Sequence, residues 1–196
     1  MDYVFVINPV AGKGGMADDI AREIREFFAG RDENVNVYLS ECPGDAIRFG
    51  KEYPIPDGRE VCFVACGGDG TFYEVVNGAF GRPGACFAVY PCGSGNDFVK
   101  AFGGAERFMD VGKLISAPVR KLDLLKVGER YSNNVVNFGF DTTVAITINK
   151  EREKTGHGSK DAYTKGVVTA LIKSMNNRCT VTADGEVLNP DGRALL

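Results

Sequence analysis

The chain has 196 residues, 44% of them hydrophobic, with 23 lysines and arginines against 26 aspartates and glutamates. That length suits one domain or one and a half. The net charge of -3 excludes a global attraction to nucleic acid or to an anionic membrane.

Charge is divided unevenly: residues 1–120 carry 12 basic and 17 acidic side chains, leaving 11 and 9 of the totals for 121–196. The asymmetry points to two parts. The apolar run VFVI after Asp2 meets Asn8 and Pro9 at once, too soon for a signal peptide, and no stretch approaches the ~20 apolar residues of a membrane span. None of the six cysteines has CxxC spacing; most fall in apolar runs where a free thiol acts as a small hydrophobe, and a reduced cytoplasm is expected. His157 is the only histidine. A His-rich metal site is thereby excluded, and a Ser-His or Cys-His hydrolase would depend on this one residue of a Gly- and Lys-rich loop.

In chain order, DYVFVINP reads as a buried strand. MADDIAREIREFFAG follows as a helix, with Ile20, Ile24, Phe27 and Phe28 at helical spacing and Gly30 as its stop. The alternation continues with a strand at VNVYLS, a helix over GDAIRFGKEY, a strand at VCFVAC, a helix over TFYEVVNGAF and a strand at CFAVYP. Short Val- and Phe-rich runs separated by helices predict a parallel sheet covered on both faces. After about residue 120 the character changes. KLDLLKV and YSNNVVNFGF read as paired strands about a GE turn, VAITINK as another strand and RCTVTADG as a fourth, with one amphipathic helix over DAYTKGVVTALIKSMNN. The expected division is therefore 1–120, an α/β domain, and 121–196, a mostly β domain.

Three loops at the carboxyl ends of the predicted strands are rich in glycine: NPVAGKGG (8–15), CGGDGT (66–71) and PCGSGND (91–97). Ligands of open parallel sheets bind at that end. Gly67, Gly68 and Gly70 let backbone N–H groups approach a ligand closely, and a helix N-terminus adds partial positive charge where phosphate settles. Asp69 would repel phosphates unless a cation intervenes, and its simplest use is to orient Mg²⁺. Plainer readings stand beside these. Thr71 and Glu74 have the spacing of a capping box, Asp69 suits a turn, Asn77 a solvated position or a cap to Gly78, and Ser94, Asn96 and Asp97 an ordinary helix start. Lys13 does not complete a GxxxxGK[ST] loop, so this is no Walker A site.

Taken together, NPxAGKG, GGDGT and PxGSGNDF resemble the catalytic-domain family of diacylglycerol kinases, bacterial lipid kinases and sphingosine kinases; ECPGDA (41–46), RKLDLLKV and NFGFD (137–141) extend the likeness along the chain. GGDGT alone is shared with NAD kinases. The resemblance implies an α/β nucleotide-binding domain followed by part of a β-rich domain, with ATP in the cleft between them and Mg²⁺ as cofactor. It places Asn8 near the nucleotide, Ser40 against ATP through its hydroxyl, the stretch Gly67, Gly68, Asp69, Gly70, Thr71, Phe72 and Tyr73 on the phosphates, and Ser94 as the hydroxyl of the third loop. Asp69 and Asp97 are the expected catalytic positions, Asp69 also the metal position.

The expected reaction is transfer of the ATP γ-phosphoryl group to a lipid hydroxyl such as that of diacylglycerol. The expected partners are a lipid substrate, the membrane surface through Lys150, Arg152, Lys154, Lys160 and Lys165, and a second copy in a homodimer. Relatives carry further strands, a structural Mg²⁺ site and a late general-base carboxylate beyond the point matching Leu196, so the chain reads as C-terminally truncated. The DGE at Asp184 to Glu186 falls too early to be that carboxylate and reads as a hairpin turn. Two rivals remain: an NAD kinase-like enzyme with a soluble acceptor, and a nucleotide-binding module without catalysis.

Overall fold

The computed structural model describes residues 1–12, 15–137, 140–155, 164, 167–168 and 180–191. It divides into two compact units, Met1–Val135 and Val136–Leu196.

The first unit is built on four parallel strands, β1 (Asp2–Ile7), β2 (Val35–Leu39), β3 (Val61–Gly67) and β4 (Ala85–Pro91), in the order β2-β1-β3-β4. The two central strands are buried along their whole length, which is why their sequences read as continuous apolar runs rather than alternating ones. Side chains still alternate between faces. Tyr3, Phe5 and Ile7 of β1 pack with Ile20, Ile24 and Phe28 of α1 (Ala17–Phe28), while Val4 and Val6 pack with Ala46 of α2 (Asp45–Glu52) and Phe72, Val75 and Val76 of α3 (Asp69–Ala79). Truncating Phe5 or Phe63, both fully buried, costs about 3–5 kcal/mol by analogy with other cores.

Because β1 feeds a helix on one face toward β2 while later crossovers run on the other face, the sheet reverses direction beside β1. Such a reversal leaves a crevice outside the carboxyl ends of the central strands. β4 is an edge strand and ends at Pro91, paired with Gly67, where the missing N–H leaves the central ladder intact. The short helix α4 (Asp97–Lys100) follows, then α5 (Val111–Ser116), capped by the Asp110 carboxylate on the Lys113 N–H at 2.8 Å.

The sheet, its helices and their order are those the sequence predicts. The GE turn joins a hairpin, β5 (Leu125–Val127) and β6 (Arg130–Ser132), shorter than the runs read as strands; it belongs to the first unit and is pinned to α3 by Asn77. Asn77 is thus neither solvated nor a local cap.

In the second unit VAITINK is not a strand. It lies within α6 (Phe140–Thr155). Its β-branched residues carry only a weak, context-dependent strand preference, the run continues into the helix formers KEREK, and Thr147 Oγ1 donates to the Thr143 carbonyl at 2.8 Å, one turn back. The two-stranded hairpin β7 (Thr182–Ala183) and β8 (Glu186–Val187) turns through Asp184 and Gly185, both at positive φ, as expected of a D-G hairpin. The expected helix over 161–177 lies almost wholly outside the described residues.

Candidate functional site

The three glycine loops meet at the carboxyl ends of β1, β3 and β4. Asn8, just past β1, donates from Nδ2 to Thr71 Oγ1 at 3.2 Å and accepts the Val10 N–H on Oδ1 at 3.1 Å, joining the first loop to the second. Gly12 has φ 67°, and a Cβ there would sit 2.5 Å from the Cys92 carbonyl oxygen. The first loop therefore packs backbone-on-backbone against the third. The second and third loops touch at Gly68 and Gly93, where a Cβ on Gly93 would overlap the Gly68 backbone. Only glycine allows that approach.

Asp69 adds a fourth tie. Its carboxylate accepts the N–H groups of Asp97 at 3.0 Å and Phe98 at 3.1 Å, so it caps α4 from the first turn of α3. The third loop is closed by Asn96, held at φ 50°, whose side chain exchanges hydrogen bonds with Gly93 (3.1 Å to the N–H, 2.8 Å to the carbonyl).

Beside this junction opens a cleft of about 270 Å³, lined by Asn8, Pro9 and Val10 of the first loop, Ser40 to Pro43 and Ala46 after β2, and Gly70, Thr71 and Glu74 of α3. Its described lining holds two carboxylates, Glu41 and Glu74, and no lysine or arginine. An anionic ligand there relies on backbone N–H groups, the α3 N-terminus and an accompanying cation. A larger hollow of about 380 Å³ sits at the opposite, amino end of β3 and β4, lined by 55–60 and 82–84, away from the loops.

The predicted site residues separate into three groups. Asn8, Ser40, Gly70 and Thr71 line the cleft. Gly68, Asp69, Ser94 and Asp97 lie at the neighbouring junction of loops two and three, with Ser94 and Asp97 exposed. Gly67, Phe72 and Tyr73 serve the frame: the Gly67 carbonyl accepts the Cys92 N–H at 2.9 Å, Phe72 is buried with its ring 4.8 Å from that of Phe98, and the Tyr73 carbonyl takes the Asn77 amide. The capping box does not form: Thr71 bonds Asn8, and Glu74 Oε1 accepts the Gly44 N–H at 2.9 Å.

Among the described residues no three His, Cys, Asp or Glu groups stand close enough to hold a metal ion between them. Asp69 and Asp97 do converge on Gly95, whose Cβ would lie 3.1 Å and 3.7 Å from their respective Oδ2 atoms. One or two carboxylates completed by phosphate oxygens and water is how Mg²⁺ is usually held; here both Asp69 oxygens already accept backbone N–H groups and Asp97 Oδ1 is paired with Lys100 Nζ, which leaves Asp97 Oδ2 and the second lone pairs on Asp69 for a cation.

Sequence reasoning placed Ser40 and ECPGDA in the wall after β2 but missed the carboxylate that orders it. Asp45 is 6% exposed; its Oδ2 accepts the Tyr38 hydroxyl at 2.7 Å and the Glu41 N–H at 3.0 Å, and its Oδ1 accepts Arg48 Nη2 at 2.6 Å. These donors, the Glu41 N–H foremost, hold its carboxyl below the usual carboxylate range. The signal was an aspartate directly after a proline-glycine turn at a predicted helix start.

An open parallel α/β domain with its ligand crevice walled by glycine loops is the class these features define. The diacylglycerol kinase catalytic domain model matches residues 2–127, and the chain belongs to that family. It is 29% identical over 168 residues to the diacylglycerol kinase of Bacillus subtilis (strain 168), covering 83% of this chain and 53% of that protein. The crystal structure of a diacylglycerol kinase from Bacillus anthracis str. Sterne matches with a TM-score of 0.61 at 22% identity, over 95% of this chain and 60% of that one, a likeness of fold. The chain spans about half the length of the curated relatives it matches.

Proposed function

We propose that the cleft and loop junction bind ATP, and that the protein to which this chain belongs transfers the γ-phosphoryl group to a lipid hydroxyl, diacylglycerol being the acceptor to test first. The observation that carries this reading is the convergence of three glycine loops through Asn8–Thr71, Gly12–Cys92 and Gly68–Gly93, which sets backbone N–H groups and the α3 N-terminus around one crevice. Positioning and charge neutralisation supply most of the catalysis in phosphoryl transfer. Asn8, Ser40 and Thr71 orient the nucleotide, and Gly70 leaves its approach unobstructed. Asp69 and Asp97 would hold Mg²⁺, which neutralises phosphate charge when bound.

Calorimetry of the 196-residue chain with ATP and Mg²⁺ tests binding. Transfer is tested on the whole protein with diacylglycerol and, in parallel, NAD as acceptors; product only with NAD would favour a soluble-acceptor kinase, and binding without transfer a nucleotide module. Unimpaired lipid phosphorylation by Asp69→Ala would sink the role given to that carboxylate.

Membrane contact is part of the same proposal. Among the described residues no helix is long and apolar enough to cross a membrane. Lys150, Arg152 and Lys154 fall on α6, while Lys160 and Lys165 lie outside the described residues; each basic group near an anionic surface contributes about 1 kcal/mol. Vesicle sedimentation that does not change when these five are neutralised would remove the contact. Light scattering would decide the homodimer.

A further inference from the structure

We propose that Asp45 is a positioning residue for nucleotide capture: its buried carboxylate fixes the Ser40–Gly44 wall of the cleft in its binding shape before any ligand arrives. This rests on the reading of the cleft as the nucleotide site.

Asp45 itself has nothing left to offer a ligand. Oδ2 accepts the Tyr38 hydroxyl and the Glu41 N–H, and Oδ1 accepts Nη2 and Nε of Arg48, at 2.6 and 3.2 Å, which uses both oxygens' accepting capacity. What the carboxylate controls is the backbone beside it. Ser40 donates its N–H to the Ile7 carbonyl at 2.9 Å, Glu41 donates to Asp45 Oδ2, Gly44 donates to Glu74 Oε1, and Asp45 closes the turn by donating to the Cys42 carbonyl at 3.1 Å. The wall is thus tied to β1 at one end, to α3 at the other and to the α2 carboxylate in the middle. Four wall residues, Ser40, Glu41, Cys42 and Pro43, line the cleft.

Proline and a left-handed Gly44 (φ 85°) shape the turn, but neither supplies a bond that holds Glu41. Removing the carboxylate releases the Glu41 N–H and the Tyr38 hydroxyl together. Arg48, more than half exposed, keeps Glu52 at 2.8 Å and returns to water at small cost. The charged and titratable groups facing the carboxylate are Tyr38 from β2, Glu41 from the wall and Arg48 from its own helix, with Glu74 of α3 one residue away on Gly44. A fixed wall matters because ordering a loop on binding subtracts from affinity, whereas a preorganised one does not.

The test compares the 196-residue chain with Asp45→Ala, which leaves no acceptor for Glu41, and with Tyr38→Phe, which removes one of the two Oδ2 bonds but keeps the ring stacked on Phe49 at 3.8 Å. Amide hydrogen exchange is measured without nucleotide, and ATP affinity with Mg²⁺ by calorimetry. Asp45→Ala is expected to speed exchange at Glu41 by about tenfold or more, to leave β3 amides protected, and to weaken ATP binding; Tyr38→Phe falls between. Unchanged exchange at Glu41 overturns the positioning role whatever the nucleotide does. Faster exchange with unaltered ATP affinity overturns the link between wall and ligand. If Asp45→Ala loses β3 protection as well, Tyr38→Phe decides on the same two readouts. An unsubstituted chain giving no heat with ATP overturns the nucleotide reading itself, and the exchange data, which need no nucleotide, tell that failure from one of Asp45.

Discussion

The carboxylate of Asp69 accepts the backbone N–H of Asp97 at 3.0 Å, so the first turn of α3 caps a helix that starts 28 residues later. Replacing one carboxylate oxygen with an amide group removes half of that cap and turns a donor toward another donor. Asp69→Asn is therefore expected to cost about 1–2 kcal/mol, read from the guanidinium midpoint. Under the proposed reaction the same change lowers transfer by about 10²-fold or more. A stability loss alone, with transfer intact, would confine Asp69 to the cap.

Two glycines of the loops separate shape from ligand approach. At Gly93 an added methyl overlaps the Gly68 backbone, which cannot rotate away, so Gly93→Ala should push loops two and three apart at about 1–3 kcal/mol and abolish the ATP heat. At Gly70, on the first turn of α3, no neighbouring atom lies within 4 Å of the added methyl. Gly70→Ala should leave stability unchanged or raised by up to about 1 kcal/mol while weakening ATP binding, because the methyl enters the cleft. Equal ATP affinity in Gly70→Ala and the unsubstituted chain would move the phosphates away from this turn.

Strands β1 and β3 were legible because burial on both faces writes itself as an uninterrupted apolar run, the edge strand β4 because its sequence stays apolar although its first four residues are only partly buried, and the glycine loops because close backbone approach admits nothing larger. The long-range partners of polar side chains were not. Nothing local distinguishes a Glu74 that closes a capping box from one that reaches Gly44 on another element, or an Asn77 in solvent from one that grips Tyr131 across 54 residues. VAITINK misled for a different reason: alternating β-branched residues mimic a strand, and the helix-forming context lay in the residues after it.

Asn77 is the sequence-distant clamp on the β5–β6 hairpin. Its Nδ2 donates to the Tyr131 carbonyl at 2.7 Å and its Oδ1 accepts the Tyr131 N–H at 2.9 Å, and the Tyr131 ring lies 4.3 Å from that of Phe80. A two-stranded hairpin is barely stable alone. Asn77→Ala should cost about 1–3 kcal/mol and expose the chain to trypsin at Lys126 and Arg130 before the sheet unfolds. Cleavage there at the unsubstituted rate would show that ring packing suffices.

The pH dependence of stability should be flat in the middle and fall at both ends. On the acid side, the Asp45 carboxyl titrates below its ordinary range; its contribution is full above the unfolded value of about 3.9 and is lost as pH falls through the lower folded value. On the alkaline side, burial raises Tyr3, Tyr53 and Tyr90, and the Asp45 carboxylate raises Tyr38 through their hydrogen bond. The folded chain then holds these phenolic protons more tightly than the unfolded one, so their contribution is intact below pH ~10 and declines above it. Burial raises the Cys66 and Cys92 thiols as well, and a hydrogen bond with Cys86 together with burial raises that of Cys62. The decline therefore sets in earlier, as pH passes the unfolded thiol value of about 8.5, and steepens above pH ~10. Guanidinium midpoints measured across the range check both limbs. Tyr90→Phe, which removes the hydroxyl bonded to Glu23 at 3.1 Å, should flatten the alkaline limb by one tyrosine's share; an alkaline slope identical in that variant would mean that Tyr90 ionises no differently when folded.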